Sequence, residues 1–168
     1  MVYASDLTSR AEAGLRYTAD LARAFGARLT VIHVVDPLEA GQWGVDIPGM
    51  LPFDFNIIRD QALERLKTTT STHASDIQTE VLVVAGVPHS SIVSFAKDAN
   101  ADLLVLNLQS KGILERVMLG ATAERVIRSS QTPVLSLPVE AGAPHARKPK
   151  TARTAKSPAD NKEFRWSD

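Results

Sequence analysis

The sequence predicts an α/β fold: an open five-stranded parallel sheet with helices on both faces. Three observations carry that expectation. Strand-like and helical segments alternate from the start of the 168-residue chain to about residue 138. The strand candidates are continuous apolar, β-branched runs, as expected of strands covered on both sides. Strand-helix-strand crossovers are almost always right-handed, so the successive strands should join one parallel sheet.

Taken in order, Met1 to Ser5 reads as a short strand ended at Asp6. Thr8 or Ser9 can then cap a helix carrying Ala11, Leu15, Ala19, Ala22 and Phe25 at helical spacing, stopped by Gly26. Arg28 to Val35 is the second strand, closed by Asp36 and Pro37. A loop with Gly41, Gly44, Pro48, Gly49 and Pro52 runs to about Phe53, and a connection of that length points to function. Trp43 and the Met50–Phe55 segment would form a lid, a subunit contact or packing on the next helix. That helix carries Ile57, Ile58, Ala62, Leu63 and Leu66, and is expected to weaken in the Thr68–Thr72 run of hydroxyl residues. Gln78 to Ala85 is the third strand, closed by Gly86. Pro88 suits the first turn of a third helix with Ile92, Phe95, Ala96 and Ala99, where His89, Ser90 and Ser91 are expected to cap. Leu103 to Leu106, Ala121 to Ser129 and Val134 to Leu137 complete the pattern as strand, helix and strand.

Composition narrows the function classes. Hydrophobic residues make up 44% and charged residues 23% of the chain, ordinary for one globular core. No apolar run approaches the roughly 18–20 residues that span a bilayer, and no basic-then-apolar leader opens the chain, so no membrane role and a cytoplasmic location are expected. Zero cysteines exclude a thiol nucleophile, a disulfide framework and a thiolate metal site. The histidines His33, His73, His89 and His145 lack metal-ligand spacing, and His33 reads as a partly buried core residue. No G-x-S-x-G, P-loop or G-x-G-x-x-G motif follows a strand. The lone Asp6 falls short of the acidic cluster that a phosphoreceiver domain needs.

The segments Tyr3-Ala-Ser-Asp6-Leu, Ala24-Phe-Gly-Ala-Arg-Leu29, His33-Val-Val-Asp-Pro37, Ala101-Asp-Leu103 and Gly120 with Pro133-Val-Leu resemble the universal stress protein family over roughly residues 2–138. The resemblance implies a Rossmann-like sheet of the HUP type with strand order 3-2-1-4-5. In such sheets ligands bind beyond the carboxyl ends of the strands where the order reverses. It also implies nucleotide-binding candidates: Ala4, Ser5 and Asp6 after the first strand, the backbone at Val34 facing the base, and Asn107, Ser110, Lys111, Gly120, Ala121 and Thr122 around the phosphates, with Arg116 assisting. Asp6 reads equally as a helix cap.

The phosphate loop departs from the family pattern. Asn107 and Ser110 stand where glycines are expected, and Ala121 where a hydroxyl residue is expected, although loop length is kept. Both side chains are expected to occupy space a phosphate would need. The expectation is therefore no cofactor and a non-enzymatic stress-response or signalling protein that dimerises and binds an unidentified protein partner. The alternative is an ATP-binding switch or slow ATPase using Asp6, Gly120 and Thr122. The family resemblance implies a homodimer through Pro133, Val134, Leu135, Ser136 and Leu137, whose exposed edge needs cover. It also implies apolar residues upstream of Tyr3, hence a shortened first strand that an upstream extension would stabilise.

The domain is expected to span residues 1–139, followed by a disordered tail, 140–168. Residues 141–168 hold seven basic side chains against three acids, while the body is acidic in compensation. The tail would solubilise the chain or contact nucleic acid weakly, in a salt-sensitive way.

Overall fold

The structure, a computed structural model, describes residues 1–37, 55–108 and 120–138. The glycine-rich loop with Trp43, the segment holding Ser110, Lys111 and Arg116, and the basic tail lie outside the described residues. β1 (Val2–Ala4) leads through α1 (Ser9–Phe25) to β2 (Leu29–Val35). Then come α2 (Phe55–Ala74), β3 (Thr79–Ala85), α3 (Pro88–Asp98), β4 (Leu104–Asn107), α4 (Ala121–Ser129) and β5 (Val134–Leu137). The strands form one sheet in the order β3-β2-β1-β4-β5, with every pair parallel. This is the predicted architecture.

Only three residues long, β1 is central, with Tyr3 flanked by Val31 on β2 and Val105 on β4. Its neighbours explain why so short a strand is ordered. Alternation sends Tyr3, Val31 and Val105 to one face, where they meet Leu15, Ala19 and Ala22 of α1 and Leu66 and Ala74 of α2. Val2, Ile32, Leu104 and Leu106 go to the other face, against Ile92 and Ala96 of α3 and Ala123 and Val126 of α4. Each large side chain so buried contributes about 1.5–3 kcal/mol.

Helix ends follow local chemistry with two corrections. Gly26 ends α1 in the left-handed region at φ 60°, where Ala27 N–H reaches the Ala22 carbonyl at 2.9 Å. Pro88 opens α3 as expected, but no side chain caps that helix. Ser90 Oγ instead donates back to the Val87 carbonyl at 3.1 Å. Nor does α2 weaken in its threonine run. Thr68, Thr69 and Thr72 donate their hydroxyls to carbonyls four residues earlier, each at 2.9 Å, which satisfies them inside the helix.

A polar clasp holds the end of α2 to α1. Arg23 donates to Asp76 through Nε at 2.7 Å, to the His73 carbonyl at 2.6 Å and to Asp20 at 2.7 Å. His73 Nε2 lies 2.9 Å from Glu12 Oε1. The Arg23 hydrogen bonds lower the Asp76 carboxyl from 3.8 to about 2. A carboxyl lowered in the folded state contributes stability above its unfolded value, and that contribution is lost as pH falls through the folded value. The melting-temperature gap between wild type and Asp76→Asn should therefore be full at pH 5 and shrink steadily toward pH 2, as followed by circular dichroism.

Candidate functional site

The carboxyl ends of β1, β2 and β4 and the start of α4 enclose a cavity of 430 Å³. That lies within the roughly 300–1,000 Å³ range of small-molecule sites. Its walls bring together Ala4, Ser5, Asp6, Val34, Asn107, Gly120, Ala121 and Thr122 from the predicted set. Sequence reasoning missed His33, Pro88, Ile92, Leu106 and Ala123 as wall residues. The apolar ones follow from the alternation that places Leu106 and Val34 on the α3 and α4 face. Pro88 and Ile92 enter only because α3 packs there. Ser110 and Lys111 lie outside the described residues. Pro133 to Leu137 belong to the opposite flank of β4, at the sheet edge.

The turn from β1 into α1 forms one wall and is held by side chains at each step. Ser5 Oγ accepts from Leu7 N–H at 3.2 Å, and Asp6 Oδ1 accepts from Thr8 N–H at 3.0 Å and Thr8 Oγ1 at 2.7 Å. Asp6 thus makes a turn just ahead of α1, while Thr8 occupies the N-cap position without a capping side-chain bond. Leu7 adopts φ 56°, a left-handed conformation that costs a branched residue of order 1 kcal/mol. His33 Nδ1 donates to the Ser5 carbonyl at 2.8 Å. A carbonyl only accepts, so Nδ1 carries the proton. His33 is half-buried as expected, with a further task as the tie from β2 to this turn.

The opposite wall is the N-terminus of α4. Its first backbone bond runs from Glu124 N–H to the Gly120 carbonyl at 3.0 Å. The N–H groups of Ala121, Thr122 and Ala123 therefore have no carbonyl within the helix and carry the positive end of its dipole. Gly120 itself sits at φ −62°, a conformation open to any residue.

Asn107 corrects the sequence expectation. It is the last residue of β4, in step with Tyr3 and Val105, so its side chain leaves on the α1 face, away from the α3 and α4 side. Asn107 Nδ2 donates to Tyr3 Oη at 2.7 Å and to the Arg10 carbonyl at 3.2 Å. Tyr3 Oη in turn donates to the Ala11 carbonyl at 2.6 Å. Burial pushes the Tyr3 phenol well above its ordinary value, so it keeps its proton and this direction of bonding. The amide is thereby committed to β1 and α1, while the residue still borders the crevice. Among the described residues no group of three or more His, Asp or Glu side chains is placed to hold a metal ion. Likewise none of the described helices is long and apolar enough to cross a membrane.

A doubly wound parallel sheet with a crevice at its switch point defines a Rossmann-like α/β protein. A sequence model of the universal stress protein family matches residues 1–138. The chain belongs to the universal stress protein family. Universal stress protein MJ0531 of Methanocaldococcus jannaschii is 33% identical over 123 residues, 71% of this chain and 70% of the relative. The solved structure of MJ0577 superposes with a TM-score of 0.65 at 22% identity, covering 81% of this chain and 92% of that one. A universal stress protein from Archaeoglobus fulgidus, solved in complex with dAMP, gives a TM-score of 0.58 at 25% identity over 80% of this chain and 94% of that one.

Removing the Asp6 carboxylate frees both Thr8 donors and leaves the Leu7 strain opposed by two bonds fewer. Asp6→Ala is expected to lower stability by about 1 kcal/mol, read as a lower urea midpoint at unchanged slope.

Proposed function

We propose that this chain is a non-enzymatic stress-response protein whose crevice takes an adenine nucleotide of the nucleoside monophosphate class. The observation that carries the reading is the crevice itself. It joins the Ser5–Asp6 turn to the N–H groups of Ala121, Thr122 and Ala123, which have no carbonyl partner among the described residues and suit a single phosphate. Thr122 supplies a hydroxyl on that wall in place of the one absent at Ala121. The dAMP complex of the Archaeoglobus fulgidus relative supports the ligand class. The crevice's carboxylate and imidazole, Asp6 and His33, are both bonded within the strand ends and turn they hold. That arrangement favours a binding role over acid-base chemistry.

Calorimetry with AMP and with ATP plus magnesium tests this. AMP should bind with micromolar affinity, and Gly120→Trp, which fills the mouth at the helix start, should abolish the signal while leaving the melting temperature near wild type. Absence of heat with both nucleotides overturns the reading.

The β5 edge of the sheet, which no strand among the described residues covers, favours a second reading, homodimerisation through β5. Val134, Leu135 and Ser136 are only half-buried there. The Pro133 and Leu137 carbonyls accept from Leu104 and Leu108 of the β4 side. Alternation along a parallel ladder then turns the Val134 and Ser136 N–H groups outward, free to pair with a second copy. Ser136→Pro removes one outward donor without breaking the β4 ladder. It should convert a dimer to a monomer by size-exclusion chromatography with light scattering, with circular dichroism unchanged.

A further inference from the structure

We infer that Asn107 is a positioning residue: it bolts the first turn of α1 to the switch point and thereby holds the crevice wall formed by Ser5 and Asp6. The inference rests on the proposed nucleotide reading for its binding consequence only. Three observations carry it.

First, two adjacent carbonyls in the opening turn of α1 receive donors from the sheet. Tyr3 on β1 reaches the Ala11 carbonyl at 2.6 Å, and Asn107 on β4 reaches the Arg10 carbonyl at 3.2 Å. Asn107 also donates to Tyr3 Oη at 2.7 Å, which closes the two bolts into one network. Second, the amide is costly where it stands. Its Oδ1 is buried and has no hydrogen-bond partner among the described residues. An apolar side chain would fill the space without that penalty, so the two donated bonds are what the amide adds. Third, α1 carries a glycine in its interior to admit it. A Cβ at Gly14 would lie 2.0 Å from Asn107 Oδ1 and 2.7 Å from its Cγ. Gly14 and Asn107 are therefore a matched pair, although 93 positions separate Gly14 from Asn107 in sequence.

The consequence is directional. The turn that lines the crevice, Ser5 to Thr8, enters α1 immediately before the bolted residues, and Leu7 in that turn is strained. Loosening Arg10 and Ala11 lets the turn relax away from the β4 end. Asn107 in the glycine position is thus a support for the site and not a remnant of a lost loop.

The test uses Asn107→Gly, which restores the residue type expected from the family pattern, together with Gly14→Ala and the double variant. Asn107→Gly should speed amide hydrogen exchange across residues 7–15 by roughly tenfold relative to β3, and weaken AMP binding by a similar factor, the loss expected for about one hydrogen bond. Gly14→Ala, a change that usually stabilises a helix interior, should lower the melting temperature sharply. The double variant should recover most of that loss and keep the weakened AMP binding of Asn107→Gly. Unchanged exchange in Asn107→Gly overturns the inference. So does AMP binding as tight as wild type, or tighter, or a double variant no more stable than Gly14→Ala. If the wild type takes no AMP, the proposed function fails separately, and the exchange and melting results decide the inference alone.

Discussion

The buried Tyr3 phenol is the contact on which the arrangement of this molecule turns. It sits in the middle of a three-residue central strand, fully buried, with its proton committed to the first turn of α1 and its lone pair to Asn107. Burial keeps the phenol protonated, so the order of donors is the same at any ordinary pH. Through this group β1, β4 and α1 share one polar junction inside an otherwise apolar layer. An unpaired hydroxyl there would be costly, so partners and position specify one another.

From that junction the crevice follows as geometry. With α1 seated, the chain between Ala4 and Ser9 must turn within a few residues, and it does so through a left-handed Leu7. The strain is opposed by short-range bonds from Ser5 and Asp6 and by His33 reaching across from β2. Arg23 with Asp76 and the His73 carbonyl acts at the other end of α1, and Glu12 in the first turn meets His73, so both ends are tied to α2. The helix is thereby held at its first turn by buried neutral bonds together with Glu12, and near its last turn by the exposed charged bonds of Arg23. Only the exposed charged contacts should respond to acid or salt.

The fold was largely readable because its signals are local. Apolar runs, Gly26, Pro88 and the spacing of Ala11, Leu15 and Ala22 each act within one element, and every element except α2, which ran on to Ala74, formed within a residue or so of its expected place. The misreadings share a cause. Thr68 to Thr72 look unfavourable by propensity, yet the hydroxyls of Thr68, Thr69, Ser71 and Thr72 find carbonyls inside the helix while Thr70 packs into the interior. His89, Ser90 and Ser91 look like caps, but Ser90 turns back to Val87. The bonds of Asn107 to β1 and α1 were not legible because its neighbours in sequence are the loop. Its neighbours in space are Gly14, Arg10 and Tyr3.

The sequence by itself determined the sheet, its crossovers, the family, and which residue types would gather at the strand ends. Periodicity and turn chemistry act over a few residues, so they survive without coordinates. Only the tertiary structure decided which way those residues face. The two-residue period of β4 sends Asn107 to the α1 side while its strand end still borders the crevice. That distinction needs the register of β4 against β1 and the approach of a helix interior from more than ninety positions away, far beyond the few residues over which local propensity acts.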